Sequence, residues 1–103
     1  MIRCVFERSR AVRIAGHAGY AAHGDDIVCA AITSAFQLCA NGITEVLRVG
    51  ARVNIGSDAA SIMLLENASP AAEAFLDALK LHLTILQEQY PDNIEIMEDE
   101  IND

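Results

Sequence analysis

Apolar and polar residues alternate near both ends of the chain and follow a helical period between them. Ile2, Cys4 and Phe6 alternate with Arg3, Val5 and Glu7; Arg8-Ser9-Arg10 interrupts; Val12 and Ile14 then alternate with Arg13 and Ala15. A period of two sends successive side chains to opposite faces of a strand, so this stretch predicts a hairpin with one buried face. From about Asp26 to Arg48 the period lengthens. Ser34, Gln37, Asn41, Glu45 and Arg48 fall on one narrow polar stripe at helical spacing, surrounded by Ile27, Val28, Ile32, Ala35, Phe36, Cys39, Ile43, Val46 and Leu47. A helix so apolar around its circumference is expected to be buried on several sides, against a sheet and against another helix or a second subunit.

Val53 and Ile55, the turn Gly56-Ser57-Asp58, and the run Ile62 to Leu65 predict a second hairpin. Ser69 as cap and Pro70 at the first helical position open a second helix. Its core stripe is Phe75, Leu76, Leu79, Leu83, Leu86 and Tyr90, and Pro91 ends it, because the residue before a proline is pushed out of helical geometry. Ile94 and Ile96 supply a last short strand, and the acidic tail beyond is expected to fray. The order ββαββαβ lacks a regular strand-helix-strand rhythm. It predicts an α+β fold: a mostly antiparallel sheet with two helices packed on one face. No repeat, linker or low-complexity tract divides the chain, and its 103 residues suffice for one core and not for two, so residues 1–103 are expected to form a single domain.

Composition adds constraints. Hydrophobic residues make up 52% of the chain with no Trp, so the core must be aliphatic. No apolar run approaches the roughly 20 residues that cross a bilayer. Met1-Ile2-Arg3 begins a strand pattern where a signal peptide needs a continuous apolar stretch. Three cysteines without paired spacing fit a reducing compartment. A cytoplasmic protein with no membrane partner is therefore expected. The net charge of −8 is uneven: residues 53 to 103 hold only Lys80 against eleven acids. With no cluster of Lys or Arg interleaved with aromatics, nucleic acid is not expected as a direct ligand. The acidity suits a basic partner, but four acids lie in the last six residues, which favours a solvated tail.

The chemistry concentrates between Gly16 and Ala35. His17 ends the alternating segment, Ala18 to Gly24 reads as a loop, and Asp25-Asp26 opens the apolar run just before Cys29. In the first turn of a helix, unpaired amides and the helix dipole favour a thiolate, and an imidazole brought beside it by the loop completes a nucleophile with its base. Gly16, Gly19 and Gly24 permit unusual backbone angles and a loop that moves.

The same residues carry a family resemblance. Gly16-His17-Ala18-Gly19-Tyr20-Ala21, followed by Gly24, Asp26, Ile27, Val28, Cys29, Ala30 and Ala31, resembles the twin motif of the ribosomal-processing cysteine proteases of bacteria, and the likeness extends to Glu88-Gln89-Tyr90-Pro91. The resemblance implies a cysteine endopeptidase that removes an N-terminal extension from a large-subunit ribosomal protein precursor, and a homodimer. It makes Cys29 the nucleophile and His17 the general base, then acid. Backbone amides of the Gly24 to Cys29 turn are expected to hold the oxyanion, and Gly16, Gly19, Tyr20, Gly24 and Ser34 to touch substrate.

Blander readings stand beside these. A cysteine on an apolar helix is often only a small buried hydrophobe, and Cys4 and Cys39 are read that way. His23 is nearer Cys29 in sequence than His17 and is kept as a loop residue that modulates the site. His82 is read as structural. Asp25 and Asp26 are read as helix caps in preference to a carboxylate orienting His17. Thr33 and Ser34 follow Cys29 along the helix, where small polar residues usually only pack or meet solvent. His17, His23, Asp25 and Cys29 lack the tight paired spacing of a zinc site, so neither metal nor other cofactor is expected. A thiol redox sensor would need a resolving cysteine, and Cys39 lies about 15 Å along the helix from Cys29. The remaining alternative is a non-catalytic ribosome-associated scaffold of the same fold.

Overall fold

The computed structural model describes residues 1–22 and 26–99. Strands β1 (Ile2–Glu7) and β2 (Ala11–Gly16) form the first hairpin, and helix α1 (Ile27–Asn41) runs on into a π-helical turn, Gly42–Val46. Strands β3 (Ala51–Ile55) and β4 (Ala59–Leu64) form the second hairpin, followed by helix α2 (Pro70–Gln89) and strand β5 (Ile94–Glu98). The order ββαββαβ is the one the sequence predicts.

The five strands lie in the order β3-β4-β2-β1-β5. All neighbours are antiparallel except β1 and β5, which run parallel. A parallel neighbour needs a long crossover, and α2 provides it. Cys4 stands opposite both Ile14 and Ile96, and Val12 opposite both Phe6 and Ile62, so the alternating apolar residues share one face of the sheet. That face forms a single buried cluster with Val28, Ile32, Phe36 and Cys39 of α1 and Ala72, Leu76, Leu79 and Leu83 of α2. Both helices therefore cover the same face.

Two details of α1 depart from the sequence-based expectation. Its α-helical hydrogen bonding stops at Asn41, and the Leu47 N–H then reaches the Gly42 carbonyl at 2.9 Å, a π-type bond. A Cβ on Gly42 would stand 2.5 Å from Phe75 Cε1, so the missing side chain lets the end of α1 approach α2. Arg48, at φ 55°, turns the chain out of the helix. Nor is α1 buried on several sides by its own chain. Val28, Ile32, Phe36, Cys39 and Ala40 are buried, but Ile27, Leu38 and Val46 are 56%, 70% and 75% exposed.

By length and apolarity, Ile27–Val46 would suffice to cross a membrane, contrary to the expectation that no such run exists, because its few polar residues leave the mean hydropathy high. In the fold it is the core helix, with Val28, Ile32, Phe36 and Ile43 packed among sheet and α2 residues. At the start of α2, Ser69 Oγ accepts the Ala72 N–H at 3.3 Å. Near its middle, Lys80 pairs with Glu98 and ties α2 to β5.

Candidate active site

The site forms where β2 leaves the sheet and α1 begins. Gly16 is the last residue of β2 and has φ +92°; a Cβ there would lie 2.8 Å from the Met1 carbonyl oxygen. A residue without a side chain thus lets the chain pass β1 closely and turn sharply, which carries His17 off the sheet. Ala18, next in sequence, is buried. Its carbonyl accepts from Asn93 Nδ2 at 2.9 Å, and its N–H donates to Cys29 Sγ at 3.2 Å. Gly19, at φ +72°, turns the loop again, and the Tyr20 ring meets Tyr90 edge to face with centroids 5.4 Å apart.

Asp26 joins this loop to the helix. Its Oδ1 accepts the N–H groups of Val28 and Cys29, both at 3.0 Å, and so caps α1. Its Oδ2 accepts the N–H of Tyr20 at 3.0 Å and that of Ala21 at 3.4 Å. Burial of Asp26 opposes its ionisation, but the amides of Cys29, Ala21, Tyr20 and Val28 outweigh that cost and hold its carboxyl below the usual carboxylate range. The capping role read from sequence is present, and the same side chain also clamps the His17 loop. Correspondingly, the Val28 and Cys29 amides, expected to hold an oxyanion, are occupied by Asp26.

Cys29 lies in the first turn of α1 and is partly exposed, whereas Cys4 and Cys39 are buried. Burial pushes the Cys4 thiol up to about 12 and the Cys39 thiol to about 11. Both pack as hydrophobes.

An open groove of about 920 Å³ collects the candidates: Gly16, His17, Gly19, Cys29, Thr33 and Ser34 all line it, with Ile2, Ala30 and Gln37 among the other walls. Tyr20 is not on that lining; its ring is engaged with Tyr90. His23, Gly24 and Asp25 lie outside the described residues. His82 is exposed on α2, at a separate apolar groove between the helices.

One residue at the groove was not singled out from sequence. Asp58, in the turn between β3 and β4, places Oδ1 3.2 Å from His17 Nε2. Sequence spacing cannot reveal this contact. It depends on β4 pairing with β2, which sets Ala59 opposite Ala15 and brings the preceding turn residue beside Gly16 and His17.

The chain is similar in fold to several solved structures. The ribosomal processing protease Prp from S. aureus, in complex with a covalently linked product peptide, superposes with a TM-score of 0.84 at 20% identity, covering 95% of this chain and 97% of that one. The same protease with a substrate peptide gives 0.79 at 19% identity, with the same coverage. SMU.848 from Streptococcus mutans gives 0.76 at 22% identity, covering 98% and 96%. Curated proteins provide no match to the sequence. The family model described as Cysteine protease Prp matches residues 1–95. With the match spanning both hairpins, the His17 loop and both helices, the chain belongs to the cysteine protease Prp family.

Proposed function

We propose that this protein is a cysteine endopeptidase that removes the N-terminal extension of a ribosomal protein precursor, with Cys29 and His17 as its catalytic pair. The observation that carries the reading is the shared groove: a helix-start thiol and the imidazole at the end of β2 line the same open cleft, large enough for a peptide segment. The S. aureus protease of the same fold is described as a ribosomal processing protease and was solved with product and substrate peptides.

In this mechanism Cys29 Sγ attacks the scissile carbonyl carbon as His17 takes the thiol proton. His17 then gives that proton to the departing amine, leaving the acyl group on Sγ. Water, activated by the same imidazole, attacks the thioester and releases the new C-terminus and the thiol. The Ala18 N–H, turned to Sγ, stands where negative charge sits on the attacking sulfur. Ser34, Gly16 and Gly19 line the path a peptide would follow. No step calls for a metal or cofactor. The reading places the protein in the cytoplasm, where ribosomal proteins are made, with no direct nucleic-acid contact.

The second copy implied by the resemblance fits the uncovered side of α1. A groove of about 570 Å³ between α1 and α2 is lined by Leu38, Phe75, Ala78, Leu79 and His82, and we place the homodimer contact there.

The test is incubation with a peptide spanning the N-terminal extension of the candidate ribosomal protein, read by mass for two fragments. Cys29→Ala and His17→Ala should each abolish cutting without unfolding the domain. A Cys29→Ala variant that still cuts rejects the assignment. Failure of the unmodified protein to cut any such peptide favours the non-catalytic scaffold.

A further inference from the structure

We propose that Asp58 is a positioning residue for His17, standing behind the Cys29 and His17 pair; this rests on the dyad reading above. Asp58 is fixed at two points. Its backbone carbonyl accepts the Gly16 N–H at 3.0 Å, and its carboxylate Oδ1 lies 3.2 Å from His17 Nε2. The turn that carries it is closed by the Gly56 N–H on the Ala59 carbonyl at 2.8 Å and continues directly into β4, which is paired with β2. Consecutive residues of the His17 segment are thus held by backbone and side chain of one residue from 41 positions away.

The consequence is the direction of the ring. Asp58 can only accept, so the contact is an Nε2–H donated to its carboxylate. When His17 holds the thiol proton between the two steps, the negative charge of Asp58 faces the imidazolium, and Asp58 does not itself become protonated. Asp26 cannot take this role, since four backbone amides occupy its two oxygens. Asp58 and His17 have 78% and 57% of their side chains exposed. Water weakens such a pair, so the effect expected is on orientation and rate, not on folding.

The experiment compares Asp58→Ala, Asp58→Asn and the exposed control Glu66→Gln with the unmodified protein, measuring kcat, KM and thermal midpoint with the precursor peptide. Asp58→Ala should lower kcat about tenfold with KM and thermal midpoint unchanged. Asp58→Asn, whose side-chain oxygen still accepts from Nε2–H but carries no charge, should recover part of that loss, and Glu66→Gln should match the unmodified protein. Full kcat in Asp58→Ala overturns the proposal, as does an equal loss in the Ala and Asn variants or a loss confined to KM. If His17→Ala abolishes cutting while Asp58→Ala is fully active, only the Asp58 assignment falls. If the unmodified protein does not cut and His17→Ala leaves alkylation of Cys29 unchanged, the dyad falls, and Asp58 with it.

Discussion

The Ala18 N–H points at Cys29 Sγ from 3.2 Å, across the gap between the His17 loop and the first turn of α1. The far side of that peptide is held as well: the Ala18 carbonyl accepts from Asn93, at the turn before β5. The sulfur thus faces a donor fixed from the opposite end of the chain.

This surrounding separates Cys29 from the other two cysteines. Iodoacetamide at neutral pH, followed by peptide mapping, should label Cys29 first. Against an ordinary thiol value of 9.0, a thiol pushed to about 11 has a thiolate fraction about a hundredfold smaller, and Cys4 is pushed further. Preferential labelling of Cys4 or Cys39 in the folded protein would contradict the site.

Asp26 should couple stability to pH. Its folded-state carboxyl lies below the ordinary value of 3.8, so its contribution is complete above that pH and is lost as pH falls through the folded value. Asp26→Ala removes a cap and leaves four amides without their acceptor, and should cost about 2 kcal/mol or more, a drop of roughly 8 °C or more in thermal midpoint. Asp26→Asn should flatten the decline in stability on acidification. An unchanged acid profile in that variant would show that Asp26 is not the group responsible.

Gly16→Ala should damage both folding and catalysis. A side chain at φ +92° is strained, and its Cβ would sit 2.8 Å from a backbone oxygen that cannot swing aside. A loss of about 1–3 kcal/mol is expected. Peptide cleavage, assayed well below the thermal midpoint, should also fall, because His17 follows directly. A variant melting and cutting like the unmodified protein would rule out this account of the turn.

Light scattering should give about twice the chain mass of 11.1 kDa. Leu38→Asp, at the exposed groove between the helices, should shift the protein to monomer without lowering its thermal midpoint through the core, since Leu38 is outside the buried cluster. A monomer mass for the unmodified protein over a broad concentration range would exclude the dimer.

The sequence by itself determined the elements and their buried faces. Period-two alternation marked Ile2, Cys4 and Phe6 with Val12 and Ile14, and Ser69-Pro70 and Pro91 bounded α2, because these signals are local: a strand's pleat, a cap's hydrogen bond and proline's fixed angle act within a few residues. The Gly16 to Ala31 motif likewise pointed to His17 and Cys29. Tertiary structure decided the rest, because it depends on which distant segments meet. The π-turn at Gly42 exists where Phe75 of α2 closes on α1. Asp26 could be recognised as a cap from its position, but not as the acceptor for Tyr20 and Ala21, which requires the loop to fold back. Asp58, an ordinary turn residue in sequence, reaches His17 only because β4 pairs with β2; register between strands some 45 residues apart is set by the packing of the whole sheet face and has no local signal.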